Sequence, residues 1–472
     1  MYIQGEEMDK LSKNTLQFIE DMKNINKNFE KSKGRKKTAT IITHGCQMNE
    51  HDSEKINAIL QDMDYIIVND MENSDLVLLN TCSVRHSAED KVYGQLGHLK
   101  AIKRSKPDMI IGVCGCMMQR KESRDYVLEK FENVDLIFGT NNIYRLPELL
   151  LHNIEYSELA LNIEDNPGRD EFVRANRLYK HKAFVNIMYG CNNFCTYCIV
   201  PYTRGRETSR RPEDIVEEIE QLVKNGVKEV MLLGQNVNSY GKNLEEKISF
   251  ADLLRRINAI EGLERIRFMT SHPKDISDEL LECYRDCDKL CKFLHLPVQA
   301  GSNKVLKEMN RHYSREDYLK KIEKAREICP DISLSTDIMV GFPGESEEDF
   351  EDTLDLVKRV GYDMSFTFLY SIREGTPAAN RLEQIDQEEK QKRFERLLDT
   401  LYPIALEKNK KLIGSTQKVL VENISKNNES RVSGRTDGFK LVNFEGDKSL
   451  IGQIVDVEIT SANTFSLEGR VK

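Results

Sequence analysis

No apolar run in the 472-residue chain approaches the roughly 20 residues of a membrane-spanning helix, so a helical membrane protein is excluded. The polar, mixed-charge stretch MYIQGEEMDKLSKNTLQFIEDMKNINKNFEKSKGRKK has no apolar segment beside a cleavage site. It does not read as a secretory signal, and the expected compartment is the cytoplasm. Excess positive charge is also lacking: 69 Lys and Arg face 78 Asp and Glu, for a net charge of -9. Phosphate binding is driven by cations that release counterions, so the balance argues against a general nucleic-acid binder and any RNA site has to be a local basic patch. Cysteine is not scarce. There are eleven, an odd number in a compartment expected to be reducing, which disfavours a disulfide framework and points to ligands or catalytic groups. With 39% hydrophobic and 31% charged residues the chain has the composition of a globular protein, long enough for about three domains.

The pattern along the chain predicts an α/β protein in three parts. Residues 1–36 read as a loose, polar helical extension. Over 37–154 the runs TATIITHG, DYIIVN, DLVLLNTC, MIIGVCG and DLIFG alternate with helical stretches, as in a doubly wound parallel domain. The polar stretch LNIEDNPGRDEFVRANR, with Asn166, Pro167 and Gly168, reads as a linker. Over 177–407 six further strands, AFVNIMYG, EVMLLG, RIRFMT, KFLHLPVQ, SLSTDIMVGF and MSFTFLYS, predict a partial TIM-like (β/α)6 barrel with its site at the C-terminal strand ends. A long charged helix closes it. Residues 410–472 predict a small β-barrel of short alternating strands.

Cys191, Cys195 and Cys198, in MYGCNNFCTYCIVPYTRGRE, stand where the first barrel strand ends. Three thiolates on one loop can hold three corners of a [4Fe-4S] cluster and leave its fourth iron open. A structural zinc site would instead want four protein ligands, usually as two CxxC-like pairs. Cys46 in THGCQMNEHDSE, Cys82 in LLNTCSVRHSAEDK and Cys116 in VCGCMMQR each follow a predicted strand of the first domain, the edge where ligands collect in open α/β sheets. Spacing alone leaves two readings of this set: a converging ligand group, or three buried structural cysteines. Cys114, two residues from Cys116, is expected on the same side of its strand. Cys283, Cys287 and Cys291 lead into a strand start, the barrel floor, and with Cys329 read as packing.

The CxxxCxxC loop with Tyr197 before its third cysteine resembles the radical S-adenosylmethionine superfamily signature. With the dispersed cysteines and the terminal β domain, nearly the whole chain resembles its methylthiotransferase family. That resemblance implies S-adenosylmethionine contacts at Tyr197, Gly234, Gln235, Ser271, Gln299 and from Thr336 to Gly341. It implies a second [4Fe-4S] cluster on Cys46, Cys82 and Cys116, the last matched by the family's Gly-Cys pair at Gly115 and Cys116. The motifs GCQMNEHDSE, YCIVPYTRGRE, LLGQNVNSYG, SHPKD, HLPVQAGS and SIREGTPAA imply methylthiolation of carbon 2 of N6-dimethylallyladenosine at position 37 of tRNA. In that scheme the barrel cluster generates a 5′-deoxyadenosyl radical and the N-terminal cluster delivers sulfur. His44 stands where the family often has an aromatic, and Glu374 where Pro is common. An electron donor such as flavodoxin or ferredoxin, a sulfur source and a monomeric state are further expectations.

The terminal segment resembles a TRAM domain, which family members use to grip RNA. From Lys408 to Lys472 it carries eleven Lys and Arg against eight Asp and Glu. Arg431, Arg435 and Lys440 in one hairpin region, and Arg204, Arg206 and Arg210 beside the cluster loop with Arg211, are the expected phosphate contacts. Three alternatives stand beside this: action on threonylcarbamoyladenosine in tRNA, action on a ribosomal-protein aspartate, or an RNA-holding carrier of two clusters that only transfers electrons.

Overall fold

A computed structural model of the chain describes residues 5–83, 86–165, 175–425 and 428–472. They form two units. The first holds the described residues up to Leu178 with 189–192 and 199–208; the second holds 179–188, 193–198 and 209–472.

The first unit opens with α1 (Gly5–Lys33), then β1 (Thr38–Thr43), α2 (Gln47–Asp62), β2 (Ile66–Ile67), β3 (Leu76–Thr81), α3 (His86–Ser105) and β4 (Ile110–Gly115). It continues through α4 (Cys116–Gln119), α5 (Lys121–Lys130), β5 (Leu136–Phe138), α6 (Leu146–Tyr156) and β6 (Ala160–Asn162). The six strands make one parallel sheet in the order β2-β1-β3-β4-β5-β6. Every residue of β3 is buried, as a strand covered on both faces requires. Register levels the strand ends, with Thr43 opposite Asn80 and Thr81 opposite Gly115. The chain direction across the sheet reverses between β1 and β3, the place where such sheets bind ligands.

Two features differ from expectation. The N-terminal extension is not loose: Met22 of α1 is fully buried in the core beneath the sheet, with Ile19 and Ile25 against it. Asn26 donates to the Met63 carbonyl at 2.8 Å. Three residues at a spacing of three cover one helix face, too sparse a stripe to stand out in a polar segment. The second difference is β6, which extends the sheet into the start of the expected linker. It has only three residues and no alternation to betray it. Asn166, Pro167 and Gly168 lie outside the described residues.

The second unit carries β7 (Lys182–Asn186), β8 (Met188–Tyr189), α7 (Val200–Thr203), β9 (Thr208–Ser209), α8 (Pro212–Lys224), β10 (Glu229–Leu233), α9 (Phe250–Asn258) and β11 (Arg265–Phe268); α7 and one residue each of β8 and β9 belong to the first unit. Then follow α10 (Asp278–Asp286), β12 (Phe293–His295), α11 (Asn303–Glu308), α12 (Arg315–Ile328), β13 (Ser333–Val340), α13 (Glu347–Val360), β14 (Met364–Leu369) and α14 (Gln387–Lys410). Two parallel three-stranded sheets, β11-β10-β7 and β12-β13-β14, are joined by a parallel bridge between Ile266 and Leu290. This is the expected six-stranded partial barrel. Its helices start on serine caps: Ser249, Ser314 and Ser346 each accept from the N3 amide and form capping boxes with Asp252, Asp317 and Asp349.

The terminal strands β15 (Thr416–Ser425), β16 (Asn428–Thr436), β17 (Leu441–Glu445), β18 (Ile454–Ala462) and β19 (Leu467–Val471) close into a barrel in the order β15-β16-β17-β19-β18. This barrel caps the N-terminal ends of the six parallel strands. Arg265, which begins β11, donates to the carbonyls of Arg435 and Lys418. Arg267 donates to those of Thr436 and Asp437. Phe439 stacks on Phe293 at the start of β12, with centroids 4.8 Å apart. Lys182 of β7 pairs with Glu422 at 3.0 Å, and Asp363, just before β14, pairs with Lys440 at 3.2 Å. The terminal barrel is therefore on the floor, opposite the mouth where barrel chemistry takes place.

Candidate active site

In the first unit the three dispersed cysteines leave the sheet at one edge: Cys46 caps α2 after β1, Cys82 follows β3, and Cys116 opens α4 after β4. The loops nearly touch. A Cβ on Gly45 (φ +132°) would fall 2.6 Å from the Cys82 Cβ, and one on Gly115 (φ +94°) would fall 2.4 Å from the Thr81 carbonyl oxygen. Only glycine tolerates both the backbone angle and the approach at these two positions.

Asn49, one turn into α2, ties the three loops together. Its Nδ2 donates to the Thr81 carbonyl at 2.7 Å and to the His44 carbonyl at 3.3 Å. Its Oδ1 lies 3.4 Å from the Cys46 sulfur and 3.9 Å from that of Cys116. Cys46 is exposed, whereas Cys82 and Cys116 are buried. Burial, opposed by the charge of Arg204, pushes the Cys116 thiol up to about 12. Metal ligation would have to deprotonate it. Among the described residues no three His, Cys, Asp or Glu side chains crowd closely enough to share a single metal ion. A cluster asks for a wider spacing, because each cysteine binds a different iron.

Cys114 is placed differently. It packs in the apolar core beneath the sheet. The expectation that it shares a side with Cys116 fails because β4 ends at Gly115. Cys116 already belongs to a helix, where strand alternation no longer applies.

Arg204 corrects the sequence reading more sharply. Expected as a phosphate contact, it is 4% exposed. Its Nη2 donates to Asp52 Oδ2 at 2.8 Å and to Asn49 Oδ1 at 3.3 Å, while its Nε donates to the Cys116 sulfur at 3.1 Å.

In the second unit Cys195 and Cys198 share one turn, the Cys198 amide donating to the Cys195 carbonyl at 2.9 Å. Cys191, assigned to the first unit, donates its amide to the Gly205 carbonyl at 3.1 Å. The buried Arg311 reaches the Cys195 sulfur at 3.4 Å and the Tyr197 hydroxyl at 3.5 Å. Its Nη2 is anchored on the Pro297 carbonyl at 2.8 Å. Sequence reasoning missed Arg311, which is 116 positions from Cys195.

The C-terminal ends of β10 and β11 carry buried polar atoms that have no protein partner among the described residues: Gln235 Oε1, Asn236 Oδ1, Asn238 Oδ1, Ser271 Oγ and His272 Nε2. Asn193 Nδ2, on the cluster loop, is another. Stranded polar groups of this kind are costly unless a ligand or water satisfies them. His272 Nδ1 accepts the Lys274 amide at 3.2 Å. Burial, with the charges of Arg311 and Lys274 adding to it, pushes the His272 imidazolium far below its usual range, so the ring is neutral and Nε2 is the free donor. Of the expected S-adenosylmethionine contacts, Gln235 and Ser271 belong to this group. Gly234 follows β10 where a Cβ would lie 2.6 Å from the Met188 side chain. Gln299 is 7% exposed with φ +71°. Gly341 gives its amide to Glu345 at 3.1 Å. Thr336 departs from expectation: fully buried, its hydroxyl accepts the Val298 amide at 2.9 Å and donates to the Leu296 carbonyl at 3.0 Å. Its polar capacity is spent on holding β12 to β13.

Most of the cations expected to meet RNA are also spent. Arg210 is paired with Glu218 and with the Asn186 carbonyl, both at 2.7 Å. Arg431 is paired with Glu468. Arg435 lies over the Phe439 ring at 4.2 Å with Glu422 at 3.7 Å, and Lys440 is buried on Asp363. The physical reason is that both are turned inward: Arg435 meets Glu422 of the terminal barrel, and Lys440 neutralises Asp363 on the barrel floor. Arg206 is exposed. A groove of about 410 Å³ between α10 and α12 is lined by Lys274, Lys320, Lys321 and Lys324 with Asp278 and Asp317; Lys324 pairs with Asp278 and Lys321 donates to the Ile276 carbonyl, while Lys320 is exposed.

Residues 185–357 match the radical SAM superfamily, 38–139 an uncharacterised protein family named UPF0004, and 410–472 the TRAM domain. The chain is 55% identical over 454 residues to the tRNA-2-methylthio-N(6)-dimethylallyladenosine synthase of Clostridioides difficile, covering 96% of this chain and 95% of that one. The enzyme of the same name from Acetivibrio thermocellus is 51% identical, with 100% and 98% covered. The chain belongs to the tRNA-2-methylthio-N(6)-dimethylallyladenosine synthase family. Among solved structures, the radical S-adenosylmethionine methyltransferase TsrM of Kitasatospora setae superposes with a TM-score of 0.54 at 14% identity, over 73% of this chain and 77% of that one. That likeness bears on the fold alone. Membership of the synthase family brings with it an iron-sulfur cluster and S-adenosylmethionine, and the stranded polar atoms at the barrel mouth fit a polar cofactor.

Proposed function

We propose that this protein is a tRNA methylthiotransferase that places a methylthio group on carbon 2 of N6-dimethylallyladenosine beside the anticodon. The observation that carries the reading is full-length likeness to enzymes of that name, joined to two separate cysteine sets at strand ends. Cys191, Cys195 and Cys198 would hold one [4Fe-4S] cluster, and Cys46, Cys82 and Cys116 a second, each three-cysteine set leaving an iron open. Bound, the barrel cluster supplies the electron that cleaves S-adenosylmethionine.

The protein's own residues do the rest. Arg311 holds the Cys195 sulfur in place. Gln235, Ser271 and neutral His272 offer acceptors and a donor to the cofactor without adding charge. The strand ends and helix caps keep these groups preorganised. Two features support an RNA partner: the TRAM match, and exposed Lys320 of the α10–α12 groove with exposed Arg206, which can meet phosphates. A cytoplasmic location fits a tRNA substrate, and among the described residues no helix is long and apolar enough to cross a membrane.

The test is mass spectrometry of tRNA nucleosides from cells with and without the protein. The 2-methylthio derivative of N6-dimethylallyladenosine should vanish with the gene while its unthiolated precursor accumulates. Loss of a methylthiolated threonylcarbamoyladenosine instead would assign the other substrate.

A further inference from the structure

Arg204 is placed oddly for an ordinary buried ion pair. A guanidinium facing a carboxylate normally offers two parallel N–H groups to both oxygens. Here only Nη2 goes to Asp52, at 2.8 Å, and the fork is turned so that Nε points at the Cys116 sulfur, 3.1 Å away. Both partners of the ion pair are nearly sequestered, with side chains 5% and 7% exposed. Asp52 and Asn49 lie one turn apart on the same face of α2, and Cys46 caps that helix. Asn49 Oδ1 takes a further bond from the guanidinium at 3.3 Å. The residue is thereby held from three sides in the orientation that aims Nε at sulfur.

We propose that Arg204 is a positioning residue for the second cluster: Nε–H donates to the Cys116 thiolate, holds that ligand, and makes the cluster easier to reduce. Asp52 and Asn49 exist in this arrangement to orient the guanidinium. The physical basis is that hydrogen bonds and positive charge at ligand sulfurs stabilise the more negative, reduced state, which is how proteins adjust cluster potentials. A fixed arginine is suited to this because it stays charged and its donors are preorganised. The inference rests on the reading that Cys46, Cys82 and Cys116 hold a cluster.

The experiment uses the full-length chain with Cys191, Cys195 and Cys198 replaced by Ala, so that only the second cluster remains. Iron content and the one-electron midpoint potential are measured before and after adding Arg204→Met together with Asp52→Asn. The double change removes the donor without leaving a buried carboxylate unpaired. The parent should hold about four irons per chain. In the double variant the ratio of reduced to oxidised cluster at fixed potential should fall roughly tenfold, a shift of about 59 mV for one electron. Asp52→Asn alone, which keeps the Nε donor and removes a negative charge, should not lower that ratio. Loss of iron from a folded double variant also supports the proposal, since the hydrogen bond to sulfur is then what is missing. An unchanged midpoint with iron retained overturns it and reduces Arg204 to a partner of Asp52. If the double variant does not fold, Arg204→Lys decides, because an ammonium can serve Asp52 without an Nε–H on Cys116: a lowered midpoint supports the proposal and one at the parent's value overturns it. Absence of iron from the parent is a different failure, that of the second-cluster reading itself.

Discussion

Single residues here are governed by which neighbour they meet. Cys114 and Cys116 are two positions apart, yet one is in an apolar core and the other faces Asn49 and Arg204. Cys116→Ala should therefore lose about four of about eight irons, while Cys114→Ala should keep them and cost only about 1 kcal/mol of stability. Iron analysis with thermal melting separates the two. Asp349 permits a second prediction. Burial would push its carboxyl up, but hydrogen bonds from Lys304 at 2.8 Å, Ser302 at 2.6 Å and the Ser346 cap hold it down to about 2. A depressed carboxyl contributes stability that is fully present above its unfolded value near 4 and is lost as pH falls towards 2. We expect about 2 kcal/mol of unfolding free energy to disappear across that window, and Asp349→Asn to flatten this part of the pH profile.

Helices and strands were the scale most open to sequence reading. Continuous apolar runs, such as LVLL in β3, mark their elements because the signal acts within a few residues of itself. Elements whose stability comes from distant partners were harder. β6 has three residues, and its identity comes from pairing with β5. α1 was legible as a helix, but its docking rests on the buried Met22; Met22→Ala should cost about 2–5 kcal/mol, as a large-to-small change in a packed core does. The starts of β10 and β11 are another case. Arg267 is fully buried, with Glu229 at 2.9 Å and two carbonyls of the terminal barrel as its partners. Arg267→Met leaves Glu229 deep in the protein with Arg265, at 3.8 Å, as its remaining ion pair among the described residues, and should cost about 3–5 kcal/mol.

Across the whole molecule, the floor position of the terminal barrel changes how its removal should be read. Deleting residues after about 410 strips partners from Arg265, Arg267 and Asp363. The truncated protein should melt earlier and lose cleavage of S-adenosylmethionine along with tRNA binding. Retention of full cleavage would show that the floor hydrogen bonds and ion pairs are dispensable. Point changes separate grip from scaffold more cleanly. Removing one cation that meets a phosphate lowers the salt slope of tRNA binding by about one unit. Lys440→Ala should leave that slope unchanged while lowering the melting temperature. Lys320→Ala, in the α10–α12 groove, should reduce it by about one unit and leave melting nearly unaltered.

The sequence by itself determined where the cysteines stand: their spacing on the CxxxCxxC loop, and the positions of Cys46, Cys82 and Cys116 after strands. These follow from local periodicity, because a strand end or helix cap is specified by the residues next to it. Tertiary structure alone decided which cations are spent within the protein. Arg204 stands 88 positions from Cys116 and 152 from Asp52, and its neighbours along the chain say only that it is basic. Whether such a side chain meets solvent, phosphate or sulfur depends on how distant elements pack around it, and no spacing along the chain encodes that.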